Sequence, residues 1–344
     1  MQLYNKLSAE ERAKIIDENS QERITLSFYK YFNLGNPSLF RDHLFIAFSK
    51  LDVLGRIYVA NEGINAQLSV PKENIEVFKK SISEITPLNN IRLNIALEHY
   101  SKSFLKLTIK IREKIVADGL NENTFDVTNI GEHLDAQRFN QMLDDKNTIC
   151  IDMRNHYESE IGFFKGAIKP DVDTFRESLE IIDIELEKNG KQKNYLMYCT
   201  GGIRCEKASA YLKYKGIKNV FQLEGGIIEY TRQVNENDLK NNFLGKNFVF
   251  DERKGERISD DIVSNCHQCG KPCDSHINCI NESCHLLFIQ CDDCREKMNS
   301  CCSNECMQVV ELSYEEQKSL RKGKHNSNKI FKKGRSAKLK FKIN

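Results

Sequence analysis

The chain has 344 residues, 40% of them hydrophobic, and a formal net charge of +2. That is more than one ordinary core holds, so two or three domains are predicted, and the near-zero net charge excludes a uniformly basic or acidic protein. No apolar run reaches the length of a membrane-spanning helix and Met1-Gln2-Leu3-Tyr4-Asn5-Lys6 has no signal-peptide core, so a soluble, cytoplasmic protein is expected.

Residues 1–22 read as an N-terminal helix and a short linker. From Arg23 the pattern runs through a strand at 24–29, a helix at about 38–51, and strands at 55–60 and 64–69 joined by the turn-forming Asn61-Glu62-Gly63. A helix is expected from Pro71, with Ile75, Phe78, Ile82 and Ile85 at helical spacing. Strands at 91–95 and 105–111 complete a βαββαβ order, which predicts a ferredoxin-like, acylphosphatase-like domain over 23–117. Polar residues with Gly119 and Gly131 make 118–143 a linker. Over 144–240, short apolar strands at 149–153, 195–198 and 220–223 alternate with helices, as in a parallel sheet of the α/β class whose site lies beyond the strand ends. An exit strand or extended arm at 248–253 leads into a cysteine-rich module that ends near 312. The last segment, 313–344, reads as a disordered tail: from Lys318 to Lys342 it has eleven Lys or Arg and no acid, a composition suited to a polyanion such as RNA.

The best nucleophile is Cys199. It ends an apolar strand and starts Cys199-Thr200-Gly201-Gly202-Ile203-Arg204, which runs into the helical Cys205-Glu206-Lys207-Ala208. Unpaired N–H groups of a first helical turn, the helix dipole and the Arg204 guanidinium all favour a thiolate there. The alternative is a cysteine buried in an ordinary strand–turn–helix joint. Four residues separate Cys199 from Arg204, one fewer than in a cysteine phosphatase loop built around phosphate, and the shorter loop suits a terminal sulfur.

With Ile149-Cys150-Ile151-Asp152-Met153-Arg154, Tyr157-Glu158, Ile161-Gly162, Gly166-Ala167-Ile168 and Leu223-Glu224-Gly225-Gly226-Ile227, this loop resembles the rhodanese superfamily. Joined to Gly55-Arg56-Ile57-Tyr58-Val59-Ala60-Asn61-Glu62-Gly63-Ile64-Asn65, it is similar to the rhodanese-related tRNA uridine hydroxylases, and Cys266-His267-Gln268-Cys269-Gly270 extends the match to their long, cysteine-rich members. The resemblance implies conversion of the wobble uridine, position 34, to 5-hydroxyuridine, with molecular oxygen as co-substrate and the tRNA anticodon loop as partner. It implies Cys199 as the persulfide position, Arg204 as the group that stabilises its anion, Asp152 as the holder of the loop, and Cys205 as a resolving thiol or a packing residue. No dinucleotide fingerprint and no two-His, one-carboxylate set is visible, so the electron donor stays open. Arg56, Tyr58, Asn61, Glu62, Asn65, Lys106, Lys110 and Arg112 are candidates for gripping an unstacked base and its phosphates; as turn and sheet-face residues they are equally candidates for hairpin formation and solvation.

Ten of the thirteen cysteines fall between Cys266 and Cys306. Cys266-x-x-Cys269 and Cys291-x-x-Cys294, with 21 residues between the pairs, have zinc-ribbon spacing and predict a structural zinc site. Cys273, Cys279, Cys284, Cys301, Cys302 and Cys306, with His267, His276 and His285 nearby, are enough for a second site whose pairing spacing leaves open. Free thiols and a sulfur relay are the other readings of this cluster. For the whole chain, the alternatives to a tRNA hydroxylase are a rhodanese-type sulfurtransferase moving persulfide sulfur to a small molecule, protein or tRNA, and a zinc-stabilised RNA-binding or redox-sensing protein without enzymatic activity.

Overall fold

The computed structural model describes residues 3–120, 125–321 and 339. The chain forms two compact units, one of Met1–Arg154, Gly166–Asn241 and Val249–Arg253, the other of Asn155–Lys165, Asn242–Phe248 and Lys254–Asn344.

In the first unit, α1 (Ala9–Glu18) starts at a Ser8–Glu11 capping box, and β1 (Arg23–Tyr31) follows. Helix α2 (Pro37–Lys50) has Asn36 as its cap and proline at its first position; β2 (Leu54–Ala60) and β3 (Gly63–Pro71) form the expected hairpin around Asn61-Glu62. Pro71 does not open a helix. It ends β3 opposite Arg23, Lys72–Asn74 make a 3₁₀ turn, and α3 (Ile75–Glu84) starts four residues later than expected. β4 shrinks to Asn94–Ile95, and β5 (Leu107–Ile111) adds parallel to β2, giving the order β4-β1-β3-β2-β5.

Strand alternation divides this sheet into two faces. Leu26, Phe28, Ile57, Val59, Ile64, Ala66, Leu68 and Leu107 turn one way and pack with Leu44 and Phe48 of α2 and Phe78 and Ile82 of α3. The register puts Asn94, Ser27, Gln67, Arg56 and Thr108 in one row across the other face, and Tyr29, Asn65, Tyr58 and Lys110 in the next.

The chain then forms β6 (Glu132–Leu134), α4 (Ala136–Leu143) and β7 (Thr148–Asp152). The stretch read as linker thus contains a strand of the next sheet: β6 is too short and polar to announce itself, and gains its partner only when β10 lies beside it. After α5 (His156–Ser159) and β8 (Gly162–Phe164) come α6 (Phe175–Asn189), β9 (Asn194–Tyr198), α7 (Ile203–Tyr214), β10 (Val220–Leu223) and α8 (Gly226–Glu236). The sheet β6-β10-β9-β7 is parallel throughout, and helix α7 is buried over most of its length.

The second unit takes α5 and β8 out of the stretch read as the α/β domain. β8 pairs with β11 (Phe243–Asn247), which pairs with β12 (Glu256–Arg257). The exit strand therefore lies at 243–247 rather than 248–253. Beyond it are the hairpin β13 (His276–Asn278) and β14 (Leu287–Ile289), then α9 (Asp292–Lys297), α10 (Asn304–Glu311) and α11 (Tyr314–Arg321). The first residues of the expected disordered tail are thus helical, and the rest of it, 322–344 apart from Leu339, lies outside the described residues. Among the described residues no helix is long and apolar enough to cross a membrane.

Candidate active site

Strand β9 carries the chain through the sheet interior and delivers Cys199 at its carboxyl end, fully buried. The turn into α7 is closed by Gly202 at φ 101°, a conformation L side chains avoid, and its N–H points at Cys199 Sγ from 3.1 Å. Helix α8 locks the loop from the far side: Ile227 N–H donates to the Cys199 carbonyl at 3.0 Å and Ile228 N–H to that of Thr200 at 3.4 Å. Only glycine fits at 226, because a Cβ there would lie 2.5 Å from the Cys199 carbonyl oxygen.

Burial alone would push the Cys199 thiol up, but a hydrogen bond from the Cys205 thiol, the Arg204 charge and the backbone N–H groups of Arg204 and Cys205 outweigh it and bring it down to about 6. Cys205, buried and donating to Cys199, is pushed well up by burial and that contact. At neutral pH the pair is a thiolate resting on a thiol. Arg204 is itself buried, with its guanidinium 6.0 Å over the ring of Phe250.

Among the described residues the Asp152 carboxylate meets Arg154 and the Tyr198 hydroxyl rather than the loop itself. This buried carboxylate is gripped by Arg154, with Nε at 2.9 Å and Nη2 at 2.6 Å, and Arg154 lies 5.6 Å over the ring of Tyr198. It therefore stiffens the strand end just before Cys199, because an ion pair two residues apart is satisfied locally before it reaches a neighbouring loop.

The polar face of the first sheet meets this loop. Asn94 Nδ2 donates to the Gly201 carbonyl at 3.3 Å, while its Oδ1, buried, has no partner among the described residues. Tyr29 Oη donates to Glu206 at 2.9 Å, and a Cβ on Gly202 would come within 2.6 Å of that hydroxyl. Tyr31 Oη reaches the Ile203 carbonyl at 3.4 Å. Burial first, then the charges of Glu206 beside Tyr29 and Glu62 beside Tyr31, push both phenols well up, so they stay protonated donors. Glu206 also takes His133 at 3.0 Å and Gln222 at 3.3 Å. The next residue of α7, Lys207, is buried between Glu62 at 2.9 Å and Asp118 at 2.8 Å. Burial raises the Asp118 carboxyl, but hydrogen bonds from Lys114 and Lys207 prevail and hold it below its ordinary value.

Of the base-binding candidates, Glu62 is the one tied to α7, through Lys207. Arg56, Tyr58, Asn65 and Lys110 lie on the polar sheet face, with Tyr58 beneath the Arg112 guanidinium at 5.4 Å. Asn61 and Lys106 are exposed at the ends of their strands. Arg112 and Lys114 line a cavity with Arg176 that no residue of the Cys199 loop lines. Tyr29, Tyr31, Asn94, His133 and Gln222 were not singled out from the sequence. The polar alternation of Ser27, Tyr29 and Tyr31 was a readable signal, but what lies opposite them is decided by long-range pairing. In the second unit Cys266, Cys269, Cys291 and Cys294 converge, as do Cys279, Cys284, Cys302 and Cys306; in each set the four sulfurs lie within 4.8 Å of one another.

Family models match three stretches: an acylphosphatase-like domain over 23–115, a rhodanese-like domain over 135–233 and a rhodanese C-terminal region over 244–307. Relatives named tRNA uridine(34) hydroxylase match nearly end to end. That of Photorhabdus laumondii is 53% identical over 97% of this chain and 95% of its own. Those of Pectobacterium carotovorum and Yersinia pestis are 52% and 53% identical over 97% of this chain and 94% of theirs. An acylphosphatase-like domain, a rhodanese loop with its cysteine, and a cysteine-rich C-terminal region, related over nearly the whole length, make this chain a member of the tRNA uridine(34) hydroxylase family.

Proposed function

We propose that the chain hydroxylates uridine 34 of tRNA, using molecular oxygen, with Cys199 as the reactive sulfur. The observation that carries this reading is the meeting of the Cys199 thiolate with the polar, tyrosine-bearing face of the first sheet. A sulfur-transfer loop alone needs only a small acceptor, whereas a base taken out of an anticodon loop needs planes to stack on and fixed donors and acceptors beside the reacting atom. Tyr29, Tyr31 and Asn94 supply those groups next to the loop, and Arg56, Tyr58, Lys110 and Arg112 continue the surface toward flanking nucleotides.

Placing one oxygen atom on the uracil ring and releasing the other as water consumes two electrons and two protons. Cys199 and Cys205 hold both electrons between them, since joining the thiolate and the thiol as a disulfide releases two electrons and one proton; the second proton comes from solvent, and an external thiol would restore the pair. A persulfide on Cys199 would keep its outer sulfur in the same N–H cradle. The four-thiolate set Cys266, Cys269, Cys291 and Cys294 suits zinc in a structural role, with no open position for substrate.

Mass spectrometry of tRNA nucleosides from cells with the wild-type protein, with Cys199→Ala and with no protein tests this reading. Loss of 5-hydroxyuridine and its derivatives in both altered strains is expected. Hydroxylation that persists, with any loss confined to thiolated nucleosides, would replace it with the sulfurtransferase reading, which the short Cys199–Arg204 loop favours. Cys205→Ser tests the electron source: hydroxylation retained there would exclude the dithiol pair.

A further inference from the structure

Of the six cysteines of the cysteine-rich region that lie outside the paired Cys-x-x-Cys motifs, four come together. Cys279 follows β13 and Cys284 precedes β14, so both sit in the connection of that hairpin, while Cys302 and Cys306 flank the start of α10. The sulfurs of Cys284 and Cys302 are 3.6 Å apart and those of Cys302 and Cys306 3.7 Å. A disulfide needs about 2 Å. An ion held by four thiolates at about 2.3 Å in a tetrahedron sets its sulfurs about 3.8 Å apart, and the observed edges are of that size. Cys269 and Cys291 of the other set show the same edge, 3.6 Å. A multi-iron cluster would hold its thiolates farther apart to make room for its own atoms. The Cys302 N–H also points at Cys279 Sγ from 3.4 Å, the kind of bond that steadies a ligating thiolate. Cys273 and Cys301 are not members of either four-sulfur group but border them: Cys273 packs with Tyr157, Phe248 and Cys266, and Cys301 packs beside the second set with its thiol hydrogen-bonded to Cys279.

We propose that Cys279, Cys284, Cys302 and Cys306 hold a second zinc ion, and that the two sites are interlocked. Along the chain the ligand pairs alternate: 266/269 to the first site, 279/284 to the second, 291/294 to the first, 302/306 to the second. The loop closed by the first site therefore contains half the ligands of the second, and the reverse. The β13–β14 hairpin has one site at its connecting end and the other just past the end of β14, so each ion fixes a strand whose position the other needs. A segment with this little apolar core depends on both. The second site stands on its own geometry; the interlock rests on the zinc reading of the first.

The test is metal content of the full chain, purified without chelator, by native mass spectrometry and elemental analysis. Two zinc ions per chain are expected, with fewer than two in Cys284→Ser and Cys306→Ser, and two retained in Cys273→Ser and Cys301→Ser. Because a ligand variant can fail to fold, the wild type is also alkylated under native conditions and mapped by peptide. All eight ligand cysteines should resist until chelator is added. One zinc per chain with only the 279/284/302/306 set alkylated would overturn the second site and leave the first standing. Only the 266/269/291/294 set alkylated would remove the first site and the interlock but leave the second. Stepwise chelation should pass from two zinc to none, and a persistent one-zinc species would overturn the interlock.

Discussion

A thiolate buried in a parallel sheet is costly unless its charge is answered locally, and at Cys199 it is answered by a thiol, a guanidinium and main-chain N–H groups within one turn. Its reaction with a small alkylating agent should rise with a midpoint near pH 6, against about 8.5 for an ordinary thiol, read by following the Cys199 peptide across pH. Because folding lowers this acid's affinity for protons, the stability it contributes is present above the unfolded value and is lost as pH falls toward 6. Cys199→Ala should flatten that part of a stability–pH curve. Asn94 is the second residue to test. Its free buried acceptor beside Gly201 matches the N–H that uracil offers and cytosine lacks, so Asn94→Leu should lower hydroxylation at least tenfold while the Cys199 alkylation midpoint stays in place. Retained hydroxylation would remove Asn94 from the base-reading surface. The Cys199 loop was readable because the groups that lower its thiol, Arg204, Cys205 and their N–H groups, lie within a few residues in sequence. The contact of Asn94 with that loop was not, because the residue facing it is more than a hundred positions away.

At the scale of elements, helix α7 is the joint between the rhodanese sheet and the first domain. Its first turns carry Arg204 and Cys205 toward Cys199 and Glu206 and Lys207 toward β1, the β2–β3 turn and the 112–120 segment. Lys207 is almost wholly buried between two carboxylates, so removing its charge takes the cation from Glu62 and leaves Asp118 with Lys114 alone. Lys207→Met should cost about 3–5 kcal/mol in urea unfolding, and a cycle with Glu62→Gln should show strong coupling rather than additivity. Asp118, held below its ordinary value, lends stability that is complete above the unfolded carboxylate range and lost as pH falls through its folded value. Asp118→Asn should therefore remove part of the acid sensitivity. Glu206-Lys207 was visible in sequence as part of the loop signature, but its chemistry was not, since polar residues in a helix read as a solvated face until the element covering that face is known.

At the scale of the molecule, the first unit carries the Cys199 loop and the polar sheet face, and the second holds the two four-cysteine sets and leads into the basic tail. Ending the chain after Arg321 should weaken tRNA binding and flatten its salt dependence, because the phosphate contacts made by Lys and Arg are what counterion release measures. Binding measured at several salt concentrations on the full and shortened chains checks this; equal slopes would show that the tail does not touch the tRNA.

The sequence by itself determined the three-part layout, the strand–loop–helix around Cys199 and the Cys-x-x-Cys pairs, because these depend on local periodicity, turn chemistry and short spacing. Tertiary structure alone decided that β6 joins the rhodanese sheet, that β8 leaves it to pair with β11, that Asp152 serves Arg154, and that Cys279 and Cys284 meet Cys302 and Cys306. Each of those depends on which distant segments pair. Three-residue strands and unevenly spaced cysteines hold too little local information to name their partners.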